Sequence, residues 1–166
     1  TVRAGYSRLL QKHGYHVDVA ESVGEGWKKV TRQNYDIAII DYLMPEQNGT
    51  ALITLIRNDP ATQHILTATI TGTYSDAVIS ESLACGALEC LFKSESRDLL
   101  LARIASLART INDRKAIDNE RRRLQGILSS VGEGVYGVDA EGIIQFINPA
   151  ALDLLGYQDG NELIGH

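Results

Sequence analysis

From residue 1 to about residue 98 the sequence alternates between two textures, and no other feature narrows the fold so far. Short β-branched or apolar runs occur at His16–Ala20, Asp36–Ile40, Ile65–Thr71 and Leu88–Phe92. Between them lie segments of helical spacing at Val2–Gln11, Val23–Thr31, Thr50–Arg57 and Asp76–Cys85, and Gly14, Gly49, Gly72 and Gly86 punctuate the joins. Near-continuous apolar strands separated by helices predict a doubly wound α/β unit, a parallel sheet covered on both faces. The chain opens on a helix, whereas this architecture normally opens on a central strand. The first strand is therefore expected upstream of Thr1, and the sequence reads as a fragment trimmed there.

Composition sets the class. Sixteen basic against 21 acidic side chains give a net charge of −5, which argues against gripping nucleic acid phosphates as the main task. With 44% hydrophobic and 22% charged residues the balance is globular. Apolar runs are too short for a transmembrane helix and no leader opens the chain, so no membrane association and a cytoplasmic location are expected. Cys85 and Cys90 make neither a disulfide framework nor a zinc site and read as small buried hydrophobes. His13, His16, His64 and His166 show no ligand spacing, and Trp27 reads as a packing residue.

In open parallel sheets the reactive crevice lies beyond the carboxyl ends of the strands. Asp41 closes Ile37–Ile40, Thr71 closes the next run and Lys93 closes Leu88–Phe92. Any one of them alone is most simply a loop cap, a strand hydroxyl or a solvated amine. Three at successive strand ends bring a carboxylate, a hydroxyl and an ammonium into one crevice.

The stretch Asp41-Tyr42-Leu43-Met44-Pro45-Glu46-Gln47-Asn48-Gly49, with Thr71, Lys93 and Gly86-Ala87 at their spacings, resembles the phosphoacceptor loop and site of response-regulator receiver domains. The resemblance covers residues 1 to about 110 and implies a flavodoxin-like doubly wound sheet whose first strand is missing here. It implies that Asp41 is the nucleophile that takes a phosphoryl group, that Lys93 neutralises phosphoryl charge, and that Thr71 bonds a phosphoryl oxygen. It also implies Mg2+ held by Asp41, by the backbone carbonyl of Leu43 and by an acidic pair that would precede Thr1, so that the chain as given should bind the metal poorly. The implied partner is a sensor histidine kinase or a phosphotransfer protein.

Two departures from that family bear on signalling. Cys90 stands where an aromatic residue is usual, so switching is expected to run through Thr71 and the loop Thr73–Ser75. Ser94 follows Lys93 where a proline is usual, and a cis bond before a residue other than Pro costs about 2.5–4 kcal/mol. Lys93–Ser94 is expected to be trans.

The tail is a different module. Val135–Val138 and Ile143–Ile147 flank Asp139-Ala140-Glu141-Gly142, a hairpin. Asn148-Pro149 then predicts a capped helix Ala150–Leu155 stopped by Gly156. Gly132-Glu133-Gly134-Val135-Tyr136-Gly137 fits a dinucleotide fingerprint literally, but a helix precedes it and a strand follows, the reverse of what that motif needs. With Val138–Gly142, Phe146–Ala151, Leu154–Tyr157 and Glu162–Gly165, the same residues resemble the N-terminal portion of a PAS sensor domain.

Between the modules lies a basic stretch free of proline, with seven basic and three acidic side chains from Arg103 to Arg123, expected as one continuous helix. Leu100, Ile104, Leu107 and Ile111 make a heptad seam, and Ile117, Arg121, Leu124 and Leu128 make a second. They meet out of phase by three residues at Arg114, a stammer. A parallel two-stranded coil joining a homodimer is expected. The competing reading is a lone helix that packs Leu100–Leu107 on the sheet and then runs through solvent.

The organisation read from sequence is thus a receiver over 1–97, the last receiver helix and linker over 98–130, and partial α+β PAS over 131–166. The expected role is two-component signalling, a phosphorylated receiver relaying through the linker and PAS to an output module. By analogy that module is a diguanylate cyclase or a histidine kinase, so whether the parent is an enzyme stays open. The alternative is a receiver-like module that dimerises or binds a partner without phosphorylation. A flavodoxin-like enzyme is disfavoured because no flavin- or phosphate-binding loop occurs.

Overall fold

The computed structural model of the chain describes residues 2–44 and 47–165, the side chain of Val2 apart. Pro45 and Glu46 of the loop motif, and His166, lie outside the described residues. The chain divides into two compact units, residues 1–112 and 113–166.

In the first unit α1 (Val2–Lys12), α2 (Val23–Arg32), α3 (Thr50–Asn58) and α4 (Asp76–Ala84) alternate with β1 (Ile37–Asp41), β2 (Leu66–Thr71) and β3 (Glu89–Phe92). The strands form a parallel sheet in the order β1-β2-β3, with Asp41 opposite Ile70 and Thr71 opposite Phe92. Every residue of β2 is buried. Its alternation divides the core. Ala68 and Ile70 join Leu10, Leu91, Leu100, Ile104 and Leu107 under α1 and the start of α5 (Arg97–Ser130). Ile40, Leu52, Ile53, Ile56 and Ile65 form a second cluster with Val23 and Ala87. Trp27 and Cys85 are half-buried against this second cluster, and Cys90 is buried. The doubly wound parallel architecture is thus present.

One expected strand is not. Residues 15–20 show the inward alternation of a strand, Tyr15 and Val17 lying against the first cluster, but they belong to no sheet. A strand exists through a hydrogen-bonded neighbour. Among the described residues no strand pairs with this segment, and the carbonyls of Val19 and Ala20 accept instead from the side chains of Lys29 and, at 2.9 Å, Arg3. The expectation of a strand at His16–Ala20 followed hydrophobic pattern, which reports the buried face but not the ladder.

α5 is a single helix of 34 residues. Its first heptad seam is not a dimer seam. Leu100, Ile104, Leu107 and Ile111 are all buried, the first three in the core cluster of their own unit. The apolar stripe that follows is exposed, Ile117 at 69%, Leu124 at 51% and Ile127 at 50%. The three-residue slip at Arg114 therefore marks the end of the stripe that serves the receiver core, and Arg114 itself is exposed. The dimeric reading of the first seam is corrected because the sheet already covers it.

In the second unit β4 (Tyr136–Val138) and β5 (Ile144–Ile147) pair antiparallel, followed by α6 (Pro149–Leu155) and a 3-10 turn at Gly160–Glu162. Asn148 caps α6 through its side chain, and Gly156 ends it at φ 80°. Two of the three glycines of the fingerprint look-alike, Gly134 and Gly137, have packing reasons. A Cβ on Gly137 would fall 2.1 Å from the Phe146 ring, and one on Gly134 would lie 3.1 Å from the Ala151 backbone.

The unequal halves of α5 predict unequal mutational costs. Ile104→Ala should cost about 2–4 kcal/mol as a core truncation, whereas Ile117→Ala should change stability by less than about 0.5 kcal/mol as a surface substitution. Urea denaturation followed by circular dichroism measures both, and equal costs would contradict this division of the helix.

Candidate functional site

The site stands at the carboxyl ends of the three strands, and the ladder fixes it. The Tyr42 N–H donates to the Ile70 carbonyl at 2.9 Å and the Lys93 N–H to the Thr71 carbonyl at 2.8 Å, so the chain leaves all three strands side by side. Lys93 Nζ reaches Asp41 Oδ2 at 2.5 Å, with both side chains about a quarter to a third exposed. The other carboxylate oxygen, Oδ1, accepts from the Leu43 N–H at 3.3 Å. Thr71 is buried, and its Oγ1 accepts from the Thr73 N–H at 3.2 Å and lies 3.4 Å from the Thr73 carbonyl. Two of the three predicted residues thus meet directly. The third is turned into its own loop.

The loop after Asp41 closes through Gly49, whose N–H donates to the Tyr42 carbonyl at 2.9 Å. A Cβ at 49 would lie 2.1 Å from the Asp41 carbonyl oxygen, so glycine is required by close approach and not by a left-handed backbone. Gly86 is needed on both counts: its φ is 101°, and a Cβ there would press on Arg57, which donates to the Gly86 carbonyl and to Thr67. Lys93–Ser94 is trans, as expected, with no cis peptide bond among the described residues.

Several neighbours carried no sequence signal. Tyr42, next to the nucleophile candidate, donates its hydroxyl to Glu81 Oε2 at 2.7 Å, and Thr50 donates to the other Glu81 oxygen at 3.4 Å. This ties the loop to α4, and the hydrogen bond to Glu81 raises the Tyr42 pKa above the usual phenol value. Tyr74, in the loop after Thr71, lies tilted on Phe92 with ring centroids 5.0 Å apart. Below Lys93, Arg103 of α5 joins Glu95, Glu89 at 2.8 Å and the Cys90 carbonyl at 3.1 Å. A carboxylate 39 residues away in sequence has no periodicity that could announce it, and only the fold assembles these contacts.

The donor set for a divalent cation falls short. Mg2+ takes near-octahedral oxygen coordination, and the described residues offer one carboxylate, already paired to Lys93, with a backbone carbonyl beside it. Among the described residues no cluster of three acidic, histidine or cysteine side chains could hold a metal ion. These residues alone do not make a magnesium site.

Residues 1–105 match the family model described as the response regulator receiver domain. The chain belongs to the receiver family. Residues 122–166 match the PAS fold. The receiver is 31% identical over 100 residues to the transcriptional regulatory protein CusR of Escherichia coli, covering 60% of this chain and 43% of CusR. It is 33% identical over 104 residues to the two-component response regulator PhoP of Pseudomonas aeruginosa, covering 63% and 45%. The chain thus spans less than half the length of these curated relatives. Among solved structures, a CheY-like receiver from Methanospirillum hungatei superposes with a TM-score of 0.61 at 23% identity, covering 69% of this chain and 88% of that one. CheY4 of Vibrio cholerae does so at 0.60 and 25% identity, covering 64% and 88%. The CheY-like fold is shared. No helix among the described residues is long and apolar enough to cross a membrane.

The Tyr42–Glu81 contact gives the receiver a pH signature. A phenol whose folded pKa is raised contributes stability that is fully present below the unfolded value of about 10 and is lost as pH rises through the folded value. Tyr35 is also raised, by burial first and by its bond to Asp18, to about 12. The two separate by difference: stability of the wild type should fall more steeply above about pH 10 than that of Tyr42→Phe. Thermal melts across that range check it, and parallel curves would show that the Tyr42–Glu81 bond carries no stability.

Proposed function

We propose that this receiver accepts a phosphoryl group on Asp41 from a sensor histidine kinase or a phosphotransfer protein, and that the change is relayed through α5 and the PAS segment to an output module. The observation that carries this is the ion pair between Lys93 Nζ and Asp41 Oδ2 at 2.5 Å, made by side chains leaving β1 and β3 beside Thr71. Asp41 attacks phosphorus of a phosphohistidine through a carboxylate oxygen. The new O–P bond forms as the N–P bond breaks, and the imidazole leaves with the electron pair. Lys93, freed from the carboxylate, neutralises a phosphoryl oxygen, because charge gathers on the transferring group. Thr71, whose hydroxyl is engaged by Thr73 of its own loop, turns to donate to a second phosphoryl oxygen, and Tyr74 and α4 follow that loop.

Support comes from the names of relatives. PhoP is called a two-component response regulator, and EvgS of Escherichia coli, 31% identical over 107 residues, a sensor protein. Magnesium belongs to this proposal with Asp41 and the Leu43 carbonyl as two of its oxygens, the rest to come from outside the described residues. We place the reaction in the cytoplasm, where histidine kinases meet their phosphoryl donor. A diguanylate cyclase or histidine kinase output remains an analogy. The domain division proposed is a receiver to residue 97, a helical linker to 130 and PAS beyond.

The alternative is a receiver that binds a partner or a second copy without phosphorylation. The exposed stripe Ile117, Leu124 and Ile127 favours association through the later part of α5. It carries Arg121 in its line, and a guanidinium held in a dimer seam loses hydration without a partner.

Two experiments separate these readings. The full-length protein incubated with phosphoramidate and Mg2+ should gain the mass of one phosphoryl group, and Asp41→Asn should gain none. A phosphorylated Asp41→Asn protein would remove Asp41 from the role. In sedimentation equilibrium, Arg121→Leu should tighten self-association about tenfold or more and Leu124→Glu should abolish it. Two monomeric variants beside a monomeric wild type would remove the dimer.

A further inference from the structure

Asn148 is only 3% exposed, and its side chain is saturated. Its Oδ1 accepts from the Val135 N–H at 2.8 Å and from the Ala151 N–H at 2.9 Å. Its Nδ2 donates to the Leu128 carbonyl at 3.0 Å and to the Glu133 carbonyl at 2.9 Å. Two N–H groups on one side and two carbonyls on the other leave a single orientation for the amide.

These four partners lie on three different segments. Ala151 belongs to the first turn of α6, where the bond is an N-cap. Val135 and Glu133 precede β4, and the Asn148 N–H also donates to the Val135 carbonyl at 2.8 Å. Leu128 belongs to the last turn of α5, where the final four carbonyls have no partner within the helix. Of those four, Leu128 is answered by Asn148 and Ile127 by the Ser130 hydroxyl at 2.8 Å. One side chain therefore caps the beginning of α6 and the end of α5 together. The close approach of Gly134 to Ala151 brings the intervening loop within its reach.

We propose that Asn148 is the joint through which the end of the linker helix is coupled to the PAS segment. A shift, rotation or fraying of the last turn of α5 moves the Leu128 carbonyl. The amide can follow only by giving up a bond to the hairpin entry or to the α6 cap, because it has no spare donor or acceptor. Buried polar networks of this kind are satisfied in one arrangement and costly in any other. The coupling is a property of the second unit itself and does not depend on which signal the receiver takes.

The test separates the two halves of the amide. Asn148→Asp keeps an acceptor for Ala151 and Val135, since aspartate is as good an N-cap as asparagine, but it has no N–H for Leu128 or Glu133. In hydrogen exchange on the whole chain, Asn148→Asp should exchange roughly tenfold faster over residues 125–134, from loss of two buried bonds, while the α6 amides keep their protection. Ser129→Gly loosens the last turn of α5. In the wild-type background it should speed exchange in α6 as well, and in the Asn148→Asp background its effect should stop at α5. Equal spread into α6 in both backgrounds, or spread in neither, overturns the joint. Should Asn148→Asp lose protection throughout the second unit, Asn148→Ser, a smaller cap without the donors, is measured in its place. Loss of α6 protection in that variant too would make Asn148 a keystone of folding and overturn its role as a selective joint.

Discussion

The first unit depends on a single strand. β2 is buried at every position, so it must satisfy two helical layers and two neighbouring strands at once. Its Ala and Ile face one layer and its Thr residues the other, an uncommon choice for a buried strand. Thr67 and Thr71 find partners, whereas Thr69 Oγ1, and Ser82 Oγ on α4, find none among the described residues. A buried hydroxyl without a partner costs free energy. The strand is thus tuned to its ladder on both sides, and the same register that fixes the core delivers Asp41, Thr71 and Lys93 to one edge.

What the sequence made legible follows the range of each signal. Helices α1 to α4 and strands β1 to β3 declared themselves within a residue or two because apolar periodicity is local. Asp41, Thr71 and Lys93 were legible because topology makes strand ends converge, a rule that needs no side-chain detail. The Lys93–Asp41 contact follows from it. Residues 15–20 were misread for the complementary reason: alternation reports a buried face, and the missing quantity was a neighbour. The first seam of α5 misled in the same way. Its spacing suits a partner helix and the receiver sheet equally, and only the fold decides which surface covers it.

The contacts that no pattern announced are polar and distant in sequence. Glu81 is an ordinary exposed carboxylate on a helix until it receives Tyr42 and Thr50. Arg103 is one of many basic residues on α5 until it lies between Glu89 and Glu95. In both cases one charged group from a helix fastens a loop beside the site. Surface ion pairs alone contribute little. These matter through what they hold in place.

The closure of the 41–49 loop at Gly49 has a consequence for how such a site diversifies. Because the Gly49 backbone lies against the carbonyl of Asp41 with no room for a side chain, and its N–H is bonded to the Tyr42 carbonyl, the two ends of the segment are held together. Any side chain at position 49 would force the Asp41 backbone and the start of α3 apart. Variation falls instead to exposed side chains between those ends, such as Leu43, Gln47 and Asn48. The rim that a partner would meet can drift freely in chemistry while the Asp41 carboxylate keeps its position.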